Sequence, residues 1–225
     1  MFVIVLSALL RIMPCPASGE AAFIMKDHPE YELGILSMTV DGDRLYAGSW
    51  NDVAGASVYT TTDGQWWDAV SIYSGTDVDD KEVLSLQVFR NKLYAGYRNY
   101  SAGAWLRALQ LDGEWKLLTG DGFANTANLD IASMAVFRDV LYIGTNNPSA
   151  GAELYRSNDG ERFERVMTVG CEDVRAISVY CLIEFQGYLY AGLEHENAAG
   201  ILRTEDGVHW EPTGFDRCGI GKKTT

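Results

Sequence analysis

A Leu-Tyr pair recurs at Leu45-Tyr46, Leu93-Tyr94, Leu141-Tyr142 and Leu189-Tyr190, each copy 48 residues after the last. A glycine follows each pair, at Gly48, Gly96, Gly144 and Gly192. A second glycine comes at Gly55, Gly103, Gly151 and Gly200. An Asp-Gly pair follows, at Asp63-Gly64, Asp112-Gly113, Asp159-Gly160 and Asp206-Gly207. A fixed period of this length means one supersecondary unit, which buries its faces only by stacking on its neighbours.

Each copy reads as four short strands. In the third, Ile131 to Phe137 is a half-buried run, and a tight turn at Arg138-Asp139 leads into the apolar strand "LYIGT". The polar "NNPSAG" is a loop, and "AELYRS" alternates with period two. A hairpin at Asp159-Gly160 precedes "RFERVMTV", since glycine supplies the positive φ such turns need. No segment sustains a helical period. Four strands per unit of this length is the mark of a β-propeller. The expected fold is therefore all-β, a propeller of four blades of about 48 residues. The domain spans 22–225, with repeats at about 35–82, 83–130, 131–178 and 179–215. Tyr46, Tyr94, Tyr142 and Tyr190 are expected in the core between blades. Four blades is the lower limit for a closed ring. The same pattern suits part of a larger propeller, or a ring that completes itself as a homo-oligomer. "AAFIMKD", Ala21 to Asp27, could add a strand beside the last blade, although the fourth copy already reads as complete.

"TTTDGQWW", "RSNDGERF" and "RTEDGVHW" resemble the Asp-box turn of sialidase-like, BNR-type propellers, S-x-D-x-G-x-T-W. Thr61, Asp63, Gly64 and Trp67 carry the match in the first copy, Ser157, Asp159, Gly160 and Phe163 in the third, and Thr204, Asp206, Gly207 and Trp210 in the fourth. The second copy departs, with Gln110 in place of the hydroxyl residue and Trp115 one position early. All four are shortened by one residue before the aromatic. The resemblance implies a structural role for Asp63, Asp112, Asp159 and Asp206. Each carboxylate would cap the hairpin between the two outer strands by accepting backbone N–H groups.

The chain is 47% hydrophobic and 12% aromatic, enough for a real core. Its formal net charge of -13 repels phosphate backbones, so nucleic acid is not an expected partner. No apolar run reaches the length of a transmembrane helix. Residues 1–21, beginning "MFVIVLSALL", read as a leader that would direct the chain to export. Cys171 and Cys181 either bridge in an oxidising compartment or stay as buried thiols.

Candidate binding residues lie in two loop sets where the inner strands begin. The position three beyond the first glycine gives the column Asn51, Asn99, Asn147 and His195. The loops between blades add Asp79, Asp130 and Asp173. Side-chain oxygens of this kind suit sugar hydroxyls, with Trp50, Tyr97 and Tyr100 as stacking faces. They also suit calcium, although no calcium-loop motif is present, and no other cofactor is expected. His195 sits between Glu194 and Glu196, a setting that favours the imidazolium. The sialidase resemblance would imply three clamp arginines, a Tyr nucleophile with a Glu partner and an Asp acid/base. The F/Y-R-I-P motif is absent, and Arg98, Arg175 and Arg203 are the remaining candidates. A carboxylate pair for glycoside hydrolysis could come from Asp79, Asp130, Asp173 and Glu194. On balance the residues predict a non-catalytic binding or scaffolding propeller for a glycan or protein ligand. The alternatives are a sialidase-like glycoside hydrolase and an incomplete piece of a larger propeller.

Overall fold

The computed structural model describes residues 24–25, 32–71, 79–110, 113–171, 174–196 and 198–213, and all regular elements among them are strands. β1 (Ile24–Met25) precedes four consecutive four-stranded antiparallel units. The first unit is β2 (Gly34–Asp41), β3 (Arg44–Trp50), β4 (Val58–Thr61) and β5 (Trp66–Ser71). The second is β6 (Asp80–Phe89), β7 (Lys92–Asn99), β8 (Trp105–Leu109) and β9 (Trp115–Thr119). The third is β10 (Asp130–Phe137), β11 (Val140–Asn146), β12 (Glu153–Ser157) and β13 (Glu164–Thr168). A short β14 (Gly170–Cys171) folds back on the fourth unit, which is β15 (Val174–Phe185), β16 (Tyr188–His195), β17 (Ala198–Thr204) and β18 (Glu211–Pro212). The first strands of successive units pack on one another and are therefore innermost.

Local chemistry explains the elements. The turns from first to second strand hold Arg90 and Asn91, then Arg138 and Asp139, at positive φ, the type I′ geometry that matches strand twist. Each first strand carries a bulge at one column: Ile35/Ser37, Val83/Ser85, Ile131/Ser133 and Val179/Cys181. A bulge leaves one residue unpaired and re-aims its side chain. Here those residues are Leu36, Leu84, Ala132 and Tyr180.

One contact joins the units, and it repeats three times. A Cβ on Gly48, Gly96 or Gly144 would fall within 3.0 Å of Val83, Ile131 or Val179 of the following unit. Each β-branched side chain thus plugs a socket that only glycine leaves open. Beside each socket a serine hydroxyl donates to the plug's own carbonyl: Ser37 to Val83 at 2.8 Å, Ser85 to Ile131 at 2.8 Å, and Ser133 to Val179 at 2.6 Å. At the rim, Tyr94 donates to the Gly160 carbonyl at 3.3 Å and Tyr142 to that of Gly207 at 3.4 Å. These tyrosines, buried between units, explain why the Leu-Tyr and Asp-Gly pairs share one period. The core is a row of interfaces. Phe89 and Leu106 meet Ile131 and Met134 at one of them, and Phe137 and Leu154 meet Val179 and Leu182 at the next.

Two expectations change. Ile24 and Met25 pair in parallel with β5, along the outer edge of the first unit, and not beside the last unit. The fourth unit already has its own outer strand, β18, whereas β5 had an open side. Cys181 is an exposed free thiol, so it forms neither the bridge nor the buried thiol considered above. It occupies the serine position of the bulge column, at an outer face. Residues 1–21, and with them the leader reading, lie outside the described residues. Among the described residues no helix is long and apolar enough to cross a membrane.

Candidate functional site

The asparagine column folds inward. Asn51, Asn99, Asn147 and His195 are all buried. The Asn51 Oδ1 accepts from the Val53 and Ala54 N–H groups, and the Asn99 Oδ1 from those of Ser101 and Ala102. The Asn147 Oδ1 accepts from Ala150 N–H. Their own N–H groups donate to the Lys81, Leu129 and Ile177 carbonyls of the following unit. The asparagines therefore cap the loop after each second strand and tie it to the next unit. Their amides are spent on backbone, and where they reach side chains these are buried too: Asn99 donates to Asp80 and Asn147 to Asn128, each at 2.9 Å. Tyr97 is buried beneath Arg107, so it offers no stacking face.

Carboxylates converge one step nearer the axis. The second strand of each unit meets the first strand of the next at a single bridge: Trp50 with Glu82, Arg98 with Asp130, and Asn146 with Ser178. Glu194 continues this column on β16, opposite Ser178. Arg98 lies between two carboxylates. Its Nε and Nη2 hold Asp130 at 2.7 and 2.8 Å, and its Nη1 holds both Glu82 oxygens at 2.7 Å. The bonds to Asp130, foremost, push the Arg98 pKa above its ordinary value, so the cation is permanent. The sialidase resemblance offered Arg98 as a substrate clamp, but both its edges are occupied within the protein. Tyr180, the exposed bulge residue of β15, lies against Glu194. Burial, then the Glu194 charge and hydrogen bond, raise its pKa, and it also feels Arg98 and Asp130. Tyr100 is exposed beneath Arg98, whose guanidinium carbon sits 5.6 Å from the ring centre. This end of the inner strands thus brings together Glu82, Glu194, an Arg98 cation held from within by buried Asp130, and exposed aromatic faces at Tyr100 and Tyr180.

The other charged candidates do other work. Asp79 accepts from the Ser101 hydroxyl at 2.7 Å, which ties two loops. Arg203 is on the third strand of its unit and pairs with Glu211 at 2.7 Å. Asp173, Asp112 and the Arg175 side chain lie outside the described residues. Buried Glu153 accepts from Tyr155 and Asn128 at 2.7 Å and from Arg165 at 2.6 Å. Burial alone would raise its pKa, but these bonds outweigh it and hold it below the ordinary value. Glu153 and Asn128 anchor the loop that precedes β10. Among the described residues no group of three or more His, Cys, Asp or Glu side chains is placed to hold a metal ion.

The Asp-Gly hairpins have a common geometry. Asp63 accepts from the Gln65 and Trp66 N–H groups, Asp159 from those of Glu161 and Arg162, and Asp206 from those of Val208 and His209. Two cavities open beside these turns, about 580 Å³ by Thr204, Asp206, His209 and Trp210, and about 260 Å³ by Ser157, Asp159 and Phe163. Both lie along the outer hairpins, away from the axial carboxylates. Glu82 and Tyr180 were not anticipated. Counting back one period from Asp130 would have found Glu82. Nothing in the sequence marks Tyr180, because its exposure depends on the bulge.

No family model matches the chain, and no curated protein matches it by sequence. Solved structures do match in shape. Bacteroides ovatus xyloglucan PUL GH43B aligns with TM-score 0.51 at 14% identity over 80% of this chain, which spans 40% of that protein. The native Bacillus subtilis arabinanase Arb43A aligns with TM-score 0.51 at 12% identity, over 80% of this chain and 75% of its own. The GH43 endo-arabinanase from Bacillus licheniformis gives 0.51 at 12% identity, over 79% and 77%. The fold is a β-propeller. The expectation of a non-catalytic binding or scaffolding module is corrected. That reading required a face of amides and aromatics without converging carboxylates. The amides are buried, carboxylates converge, and the proteins of matching shape are glycoside hydrolases.

Proposed function

We propose that this chain is a carbohydrate-active propeller of the glycoside hydrolase kind, with its site at the axial end of the inner strands. The observation that carries the reading is the convergence of Glu82, Asp130 and Glu194 around Arg98 and Tyr180. Hydrolysis of a glycosidic bond needs one carboxyl group to protonate the leaving oxygen and another to act as base, nucleophile or counter-charge. Asp130 is buried and held on both oxygens by Arg98, so it fixes that cation in place, and Glu82 on the other edge of Arg98 is the negative charge that would face a positive transition state. Glu194, hydrogen-bonded to the Tyr180 hydroxyl at the same end of the inner strands, is placed as the second carboxyl group of the pair. Tyr100 and Tyr180 are the stacking faces for sugar rings.

A pentose polymer such as arabinan is the substrate class this reading adopts, by analogy with the arabinanases of matching shape. The four units are four blades of a ring that this chain leaves open. The Asp-Gly hairpins of the first, third and fourth units, with the carboxylate capping the turn, support kinship with the BNR/Asp-box repeats.

The test is release of reducing ends from linear arabinan, arabinoxylan and aryl pentosides by the full chain. Glu194→Gln and Glu82→Gln should each cut the rate about a hundredfold or more. Glu211→Gln, on an outer strand, should not. Absence of release from every pentose glycan, or equal rates for all variants, would overturn the proposal.

A further inference from the structure

The contact that joins the units has two halves, and each end of the chain displays one of them unused. The plug column is Ile35, Val83, Ile131 and Val179. The last three are fully buried in the preceding unit, while Ile35 is 38% exposed. The rest of that face follows suit. Leu86, Met134 and Leu182 are buried, whereas Met38, their equivalent in the first unit, is 54% exposed. At the other end, Phe89 and Phe137 are buried against the next unit, whereas Phe185 is 58% exposed and its neighbour Ile183 is 64% exposed. A Cβ on Gly192, the fourth socket glycine, would meet only Cys181 of its own unit.

We propose that the first unit's face docks onto the fourth unit's face of a second copy of this chain, head to tail. Ile35 would enter the Gly192 socket, and Met38 would lie against Phe185. The occupant is identified by complementarity: the two faces are the same interface that the chain already makes three times within itself. Apolar clusters of this kind are rarely left uncovered. A contact between unlike surfaces is heterologous, and it closes when the rotation permits. Two copies joined at both ends would carry about eight blades, within the range of closed propellers. The axial column would also become continuous, with Glu194 of one copy meeting Gly34 of the other, as Arg98 meets Asp130.

The full chain, its Met38→Lys variant and its Phe185→Lys variant should be weighed by light scattering over a wide dilution series. Both positions are exposed within one copy, so the variants should melt as the parent does in dilute protein. The parent should exceed its monomer mass of 24.8 kDa in a concentration-dependent way. Each variant alone has one face blocked on every copy and should be monomeric. Mixed in equal amounts, one variant supplies an intact first face and the other an intact fourth face, so the mass should double. A monomeric parent would overturn the proposal, whether its ends close on each other or meet another blade. So would a Met38→Lys variant that still self-associates, because that contact would be between like faces. The result does not depend on any catalytic activity.

Discussion

Ile131 and Ile35 occupy the same position of the repeat, and their truncation should have very different costs. Ile131 is fully buried in the Gly96 socket, and its carbonyl accepts from Ser85. Ile131→Ala removes three carbons, worth about 0.8 kcal/mol each in transfer free energy. It also leaves a cavity between two sheets that cannot collapse easily, which brings the expected loss to about 3–4 kcal/mol. Ile35 is 38% exposed and lines no closed space. Its truncation should cost about 1 kcal/mol in dilute protein, from partial transfer alone. The assay is urea unfolding followed by far-UV circular dichroism, with the midpoint and slope fitted separately for each variant. At higher protein concentration the Ile35→Ala loss should grow, since the docking proposed above would bury that side chain. Equal losses at the two positions in dilute protein would refute the idea that the first unit's face is open.

Two other perturbations probe the site and the hairpins. Arg98→Met leaves Glu82 and Asp130 facing each other without their shared cation, and should destabilise the chain by about 3 kcal/mol; an unchanged urea midpoint would show that the network carries no stability. The backbone N–H groups of Arg162 and Glu161 hold the Asp159 carboxyl at about 2, below its ordinary 3.8. A depressed carboxyl contributes stability that is fully present above pH 4 and is lost as pH falls through about 2. Acid titration should therefore show a component that disappears in Asp159→Asn, and identical profiles would count against the hairpin cap.

Much of the architecture was legible because it is periodic. The Leu-Tyr, glycine and Asp-Gly columns mark places where one unit touches the next, so packing forces them to recur. The Arg138-Asp139 turn and the Asp-Gly hairpins were readable for a local reason, since positive φ restricts which residues can stand there. The site was less legible. Arg98 and Asp130 are 32 positions apart, and only the bridge between β7 and β10 brings them together. The asparagine column looked like a polar mouth because its period placed it near the axis. Asparagine in that position instead closes its own loop, and periodicity does not reveal which way a side chain turns. Tyr180 depends on a bulge, which shifts the facing of one residue against the alternation around it.

The location of the site is the central claim, and hydrogen exchange with and without an arabino-oligosaccharide tests it most directly. Added protection is predicted at the starts of β6, β10 and β15 and at the end of β16 around Glu194, with none at the Asp-Gly hairpins. Protection confined to Thr204–Glu211, beside the outer cavity, or no protection anywhere, would contradict it.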